Sequence, residues 1–230
     1  SGYHGETVTF SKDLPDADYT ASTIELHRGC ASFDLICRGK NLTRVSLQIP
    51  GEHMITDALA AAATAHVHGI PAQDIASALA EYTGIERRME KCGKAKTGAV
   101  VYSDYAHHPT EIASSLKTAG EMGFDRVVCA FQSHTFSRTF KLFDGFAEAL
   151  ANNNVDEVII ADIYPARETN TFGVSAEALA EKIASFGKKC RFIDSFDKIE
   201  NYLLSSTKDG EMILIIGAGD IDKVARDLVK

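Results

Sequence analysis

Hydrophobic and polar positions alternate in two different ways along the chain, and the change falls near residue 99. Before it, short segments alternate apolar and polar residues, as half-buried strands do. After it, unbroken apolar runs alternate with segments whose apolar residues recur every three or four positions, as in amphipathic helices. The sequence therefore predicts two regions of different architecture.

The first region begins with alternating segments and a turn at Arg28 and Gly29, a pattern typical of hairpins in an antiparallel sheet. Residues 54–67 are dense in Ala and Leu, which favour helix, and Gly69 ends that helix. Pro71 then begins a second helix. The strands are predicted at 6–10, 23–27, 31–36 and 43–49, and the second helix is predicted to bury Ile75, Ala78, Leu79 and Tyr82.

The second region alternates apolar strands with amphipathic helices, which predicts a parallel sheet covered on both faces. Right-handed crossovers then give a Rossmann-like, doubly wound α/β fold. A polar run over 90–98 follows the first region, and we expect domains at 1–86 and 87–230. The predicted strands are 100–105, 126–132, 157–164, 190–194 and 212–217, and the predicted helices are 110–122, 140–151, 175–186, 196–205 and 221–229.

Composition narrows the functional class. The 230 residues carry a formal charge of −8, which argues against a surface that coats nucleic acid. We expect no membrane span and no signal peptide, and five dispersed cysteines without a C-x-x-C pair fit reduced thiols in a cytoplasm. The first residue is not Met, so we expect a piece of a longer protein.

The first predicted strand of the second region ends in Asp104, Tyr105, His107 and His108, and Pro109 then begins a helix. In open α/β sheets, ligands bind at the carboxyl ends of the strands, so these groups form a candidate site. The alternative is a polar turn in which Asp104 caps the helix. That helix is predicted to bury Ile112, Ala113, Leu116 and Ala119.

Two further strand ends carry polar side chains. His134 and Arg138 lie four residues apart at a helix start, where a guanidinium suits a carboxylate or phosphate. The alternative there is that His134 and Ser137 only cap the helix. At the third strand end, a proline turn with a surface ion pair between Arg167 and Glu168 is favoured over ligand contact.

Three other features were weighed. Arg87 and Arg88 follow a predicted helix end and suit phosphate oxygens, although a solvated pair at a domain junction is slightly favoured from the sequence alone. Gly217 and Gly219 begin a dinucleotide fingerprint, but Asp222 occupies the third glycine position. We therefore interpret these glycines as turn residues and do not expect a nicotinamide enzyme.

A metal held by the protein is not expected. His107, His108 and His134 are the candidate ligands, but adjacent histidines in one turn rarely point at a single ion. Magnesium carried by a nucleotide needs only one or two carboxylates and keeps its waters.

Taken together, these motifs resemble the Mur ligases of peptidoglycan synthesis. D-Y-A-H-x-P marks the family generally, while the second His of that block and Q-x-H-x-x-S-R-T point to its alanine-adding member. The matching blocks lie at 50–53, 84–88, 104–112, 131–139, 162–168 and 217–221, in the family's order.

The resemblance implies an ATP-dependent amide ligation in cell-wall synthesis, with Mg²⁺ carried by the nucleotide. The carboxylate of UDP-N-acetylmuramate becomes an acyl phosphate, and the amine of L-alanine attacks it. By similarity, His53 and Asp57 lie near the adenine, although the family usually has an Asn pair where this chain has Met54 and Asp57. Arg87 or Arg88 reaches the nucleotide phosphates.

The same resemblance implies roles at the strand ends. Asp104 meets the ribose or nearby solvent, and Tyr105 and His107 line the cleft. His134 and Arg138 bind the amino-acid or acyl-phosphate end.

No G-x-x-x-x-G-K-[ST] phosphate loop occurs in the sequence. We therefore expect 1–86 to be the end of a truncated central ATP-binding domain, and 87–230 to be a Mur ligase C-terminal domain. The UDP-binding domain and the phosphate-loop half of the central domain would lie elsewhere in the protein, and this chain alone would not ligate. One alternative is a non-catalytic nucleotide- or ligand-binding module with a Rossmann-like fold. Another is a Mur ligase that joins a peptide to recycled muramate, which would require a different 134–138 block.

Overall fold

The computed structural model describes residues 7–230, and the chain divides into two compact units between Gly84 and Ile85. We call them unit 1 and unit 2 and describe each by itself. Within the described residues, no helix is both long and apolar enough to cross a membrane.

Unit 1 is a three-stranded antiparallel sheet with two helices. Phe33, Leu35 and Val45 from the sheet and Ile55 and Leu59 from the first helix are fully buried and form its core. The predicted hairpins are confirmed. The elements are β1 (Tyr19–His27), β2 (Cys30–Cys37), β3 (Lys40–Pro50), α1 (Met54–Val67) and α2 (Ala72–Glu81).

Two predictions for unit 1 are wrong. Residues 7–10 form only an isolated bridge between Phe10 and Tyr19, and Glu6 of the predicted strand lies outside the described residues. In α2, Ala76 is buried while Ala78 is exposed, because the inward stripe is centred one position away from the predicted one. Tyr82 is exposed because the backbone has already left the helix there, at φ −71° and ψ 118°.

Unit 2 is built on a six-stranded sheet in the order β4-β5-β9-β6-β7-β8, parallel except for β4. Helices α3, α5 and α6 cover one face, and α7 and α8 cover the other. The doubly wound α/β fold is confirmed. The elements are β4 (Glu90–Lys94), β5 (Val100–Asp104), α3 (Pro109–Glu121), β6 (Val127–Phe131), α4 (Phe136–Lys141), α5 (Phe143–Ala151), β7 (Glu157–Ile160), α6 (Ala176–Ser185), β8 (Cys190–Phe192), α7 (Phe196–Ser206), β9 (Met212–Ile216) and α8 (Asp222–Leu228).

Three details of unit 2 differ from the prediction. The polar run over 90–98 contains β4, an edge strand whose exposed side tolerates polar residues. The helix predicted at 140–151 is two helices, because Thr135 begins α4 early and the backbone changes direction at Leu142. Ala113 is exposed, since the buried stripe of α3 runs through Ile112 and Ser115 instead.

The order of the strands determines which polar turns of unit 2 lie next to one another. Because β9 lies between β5 and β6, the carboxyl ends of these three strands are neighbours. The turns after them carry the three sequence blocks that begin at Asp104, Gln132 and Gly217.

Candidate active site

Asp104, the last residue of β5, is buried with 4% of its surface exposed. Its carboxylate accepts the backbone N–H groups of Met89 at 2.9 Å and Ala106 at 2.8 Å. Burial raises the pKa of Asp104, and these hydrogen bonds offset only part of that rise. Within unit 2 the side chain therefore holds the loops beside it, and its contact with a ribose or nearby solvent stays a prediction.

A different residue caps α3. Nδ1 of His108 accepts the N–H of Thr110 at 3.3 Å, and Glu111 accepts the N–H groups of His107 and His108. The alternative in which Asp104 caps this helix is therefore wrong. The capping box fixes the backbone from which His107 projects, and Nδ1 of His107 lies 3.0 Å from the carbonyl oxygen of Tyr105.

Arg87 and Arg88 were equivalent in the sequence, and the structure separates them. Arg87 donates to the carbonyl oxygens of Gly217 at 2.6 Å and Gly219 at 3.2 Å, with its guanidinium carbon 4.6 Å from the centre of the Tyr105 ring. Arg88 is exposed and its guanidinium lies 5.9 Å from the centre of the same ring; its backbone N–H donates to the carbonyl of Ile85, but its side chain makes no hydrogen bond or ion pair with any described residue. Arg88 is thus the arginine whose donors remain available to an anion.

His134 follows the end of β6. Its ring lies 5.3 Å from that of Tyr164 at an interplanar angle of 31°, and its Nδ1 is buried without a hydrogen-bond partner among the described residues. Burial lowers the pKa of His134, and the positive charges of Arg138 and His107 lower it further. The imidazole is therefore neutral at pH 7 and able to accept a proton.

Thr135 holds the loop between His134 and Arg138 in an unusual backbone conformation, with φ +65° and ψ 147°. Such a conformation in a residue other than glycine costs about 1–3 kcal/mol and persists only where surrounding contacts enforce it. The Oγ1 of Thr135 caps α4 by accepting the N–H of Arg138, so the alternative in which His134 and Ser137 cap the helix is wrong. Arg138 is half-buried, and its guanidinium has no partner among the described residues.

Glu168, at the third strand end, reaches this loop. Its Oε2 accepts the N–H of Ser137 at 2.8 Å, and its Oε1 accepts the hydroxyl of Ser137 at 2.5 Å. These hydrogen bonds lower the pKa of Glu168. The predicted ion pair between Arg167 and Glu168 is wrong, because the carboxylate is committed to Ser137. Sequence reasoning could not find this contact, since its partners lie 31 residues apart.

Close packing explains the two glycines. Gly217 has φ +155°, and a Cβ there would lie 2.8 Å from the carbonyl oxygen of Gln132. A Cβ on Gly219 would lie 2.8 Å from Tyr164. The interpretation as turn residues is confirmed. Gln132, which sequence reasoning did not select, accepts the N–H of Ile221 and donates to the carbonyl of Asp162, so it joins the turns after β6, β7 and β9.

His53 and Asp57 lie in unit 1, at the N-cap of α1 and one turn later, and both are exposed. Residues four apart share a helix face, so a single ligand is able to meet both. Their contact with an adenine stays a prediction. No group of three or more His, Cys, Asp or Glu in the described part of the chain is placed to hold a metal ion.

The carboxyl edge of the sheet therefore presents Arg88, Tyr105, His107, His134 and Arg138. Two unpaired guanidinium groups and two imidazoles at the strand ends of a doubly wound fold define a site for an anion such as a phosphate or carboxylate.

Comparison with known proteins gives the family. The sequence model described as "Mur ligase, glutamate ligase domain" matches residues 87–219. The chain belongs to the Mur ligase family.

Individual relatives agree with that assignment. The chain is 41% identical to the UDP-N-acetylmuramate--L-alanine ligase of Lachnospira eligens over 98% of its own length and 49% of the relative's. It is 42% identical to the protein of the same name from Clostridium kluyveri, over 93% of the chain and 46% of the relative. The crystal structure of UDP-N-acetylmuramate-alanine ligase from Thermotoga maritima superposes with a TM-score of 0.80 at 28% identity, covering 96% of this chain and 47% of that one. The chain thus spans about half the length of the relatives it matches.

Proposed function

We propose that this chain supplies half of an ATP-dependent ligase that joins L-alanine to UDP-N-acetylmuramate through an amide bond. The observation that carries the proposal is the pair of unpaired cations, Arg88 and Arg138, flanking two imidazoles at the carboxyl edge of the sheet. Relatives at about 41% identity that bear this name support the choice of substrates.

Each side chain suits one part of the reaction. The guanidinium of Arg138 pairs with the α-carboxylate of L-alanine, because its planar fork matches two carboxylate oxygens. His134 takes a proton from the ammonium group, and the free amine then attacks the carbonyl carbon of the acyl phosphate, from which inorganic phosphate leaves as the C–O bond breaks. His107 lies close enough to His134 for its charge to affect that group, and it lines the same cleft.

Arg88 and Tyr105 suit the nucleotide side. Arg88 has unused donors for phosphate oxygens, and the Tyr105 ring supports its guanidinium. ATP would supply the phosphoryl group that makes the muramate carboxylate reactive, with its own hydrated Mg²⁺. These residues fit only part of a nucleotide, so the phosphate loop must come from another part of the protein, consistent with residues 1–86 being the end of a central ATP-binding domain. A cytoplasmic location fits the free cysteines of the described residues.

The test is a turnover assay on the full-length ligase that contains this chain. We expect ATP-dependent formation of UDP-N-acetylmuramoyl-L-alanine, no turnover by residues 1–230 alone, and a large loss in Arg138→Ala. Arg28→Ala, at an exposed turn of unit 1, is the matched control. Full activity in Arg138→Ala, or turnover with a peptide in place of L-alanine, would contradict the proposal. Nucleotide binding without turnover in the full-length protein would support the non-catalytic module instead.

A further inference from the structure

We infer that Glu168 is a positioning residue that holds the His134–Arg138 loop in the shape needed to bind the amino acid. The inference rests on the proposed function and extends it to a residue that does not itself contact the amino acid.

The first support is the two-point contact with Ser137. Glu168 accepts both the N–H and the hydroxyl of Ser137, at 2.8 and 2.5 Å. The N–H groups of the first helical turn have no partner within the helix, so this carboxylate fixes the beginning of α4. Arg138 is the next residue, and its direction follows from that of the helix.

The second support is a backbone bridge from the same loop. The N–H of Thr135 donates to the carbonyl of Tyr164 at 2.8 Å, and the N–H of Tyr164 donates to the carbonyl of Ser133 at 2.9 Å. The Tyr164 ring also packs against the His134 ring, with the two planes tilted by 31°. The segment 164–168 is therefore hydrogen-bonded to the segment 133–137 at both ends.

The third support is the strained backbone of Thr135, which lies between the backbone bridge to Tyr164 and the contact of Ser137 with Glu168. A residue with φ +65° returns to an ordinary conformation when the contacts that enforce it are lost. Release at Ser137 would let the loop relax, and His134 and Arg138 would then lose their mutual placement. Misplacement of a binding group by about 1 Å is enough to cost on the order of 100-fold in rate.

The kinetic test uses Glu168→Ala and Glu168→Gln in the full-length ligase, with Glu148→Ala on the exposed side of α5 as the control. We expect Glu168→Ala to raise the KM for L-alanine about 10- to 100-fold while the KM for ATP stays within about twofold, because a hydrogen-bonded charge is lost only on the amino-acid side. Glu168→Gln keeps an acceptor for the Ser137 N–H and should recover part of the loss. Equal changes in both KM values, or no change in either, would overturn the inference.

A second readout does not depend on ligation. In the 230-residue chain, NMR should show faster amide exchange at Ser137 and loss of the ring-current shift of His134 in Glu168→Ala but not in Glu148→Ala. An unchanged Ser137 amide and His134 ring would overturn the inference. If the wild-type ligase fails to use L-alanine while these NMR changes occur, the proposed function fails and the positioning of the loop stands.

Discussion

The two edges of the unit 2 sheet differ in whether their charged side chains have partners. At the amino edge, Glu157 is fully buried and contacts Arg126 at 2.6 Å, Lys189 at 2.7 Å and Arg191 at 3.0 Å. The hydroxyl of Tyr202 donates to the same carboxylate at 2.6 Å. At the carboxyl edge, by contrast, the guanidinium groups of Arg88 and Arg138 have no partner in the described part of the chain.

The difference separates charges that serve stability from charges kept for a ligand. Burial alone would raise the pKa of Glu157, but the hydrogen bonds from Lys189 and Tyr202 and the surrounding positive charges outweigh it, and the pKa is lowered. A fully partnered carboxylate has nothing left to offer a substrate. Arg88 and Arg138 at the opposite edge keep their guanidinium donors because no described residue of this unit accepts a hydrogen bond from them.

Glu157→Ala should remove the centre of the ion-pair cluster at the amino edge and give the largest loss of stability. We expect a loss of about 3 kcal/mol in the free energy of unfolding, because three cations lose their common partner and a buried space is left. The cations reach solvent, which limits the cost. Urea unfolding of the 230-residue chain measures it, with Glu148→Ala as control.

The stabilisation that Glu157 contributes should depend on pH in a definite direction. The folded pKa of Glu157 lies below its ordinary value of 4.5, so its stabilisation is present above about 4.5 and is lost as pH falls through the folded pKa. The variant should therefore be less sensitive to acid than the wild type. A loss below about 1 kcal/mol at neutral pH would mean that the amino edge is not a stability device.

Arg138→Ala tests the carboxyl edge, where we expect a loss of activity without a loss of stability. We expect kcat/KM for L-alanine to fall about 100-fold in the full-length ligase, because a charged bidentate contact is lost. The free energy of unfolding should stay within about 0.5 kcal/mol, since no hydrogen bond or ion pair of the side chain with a described residue is removed. Steady-state kinetics and urea unfolding of the same variant measure both. A large loss of stability with unchanged kinetics would reverse the assignment.

Arg87 and Arg88, which are adjacent in the sequence, provide a matched pair of arginines at the carboxyl edge. Arg87→Ala removes two hydrogen bonds to carbonyl oxygens and should destabilise the chain by about 1–2 kcal/mol. Arg88→Ala should leave stability nearly unchanged and weaken ATP binding by the full-length ligase. Thermal unfolding and calorimetric titration of both variants distinguish them. Equal loss of ATP binding in the two would show that the partners of Arg87 do not occupy its guanidinium.

The sequence was sufficient for the parallel strands of the unit 2 sheet, because unbroken apolar runs are a local pattern, but it missed the edge strand β4. It could not assign individual partners, which depend on contacts between distant segments. Arg87 and Arg88 differ only because the turn at Gly217 lies against one of them. The sequence predicted that Glu168 pairs with its neighbour Arg167, whereas the fold places Ser137 against the carboxylate of Glu168.

Sequence reasoning also misjudged the polar groups that serve the backbone. Asp104 had the signature of a ligand-binding acid, yet its burial against Met89 and Ala106 becomes visible only in three dimensions. Histidine is an uncommon helix cap, so His108 was not expected to take the role that a nearby Asp usually fills.

The smallest expected effect concerns the protonation of His134. Its pKa should lie below the ordinary value of 6.5, with burial as the main cause and the charge of Arg138 as the next. Because the unfolded chain takes up this proton first, the stability that depends on a neutral His134 is complete above about 6.5 and is lost as pH falls toward the folded pKa. NMR titration of the labelled histidines should show this low pKa, and Arg138→Ala should move it upward while Arg28→Ala leaves it unchanged. An ordinary pKa in the wild type would mean that water reaches the His134 ring and that burial does not control its protonation.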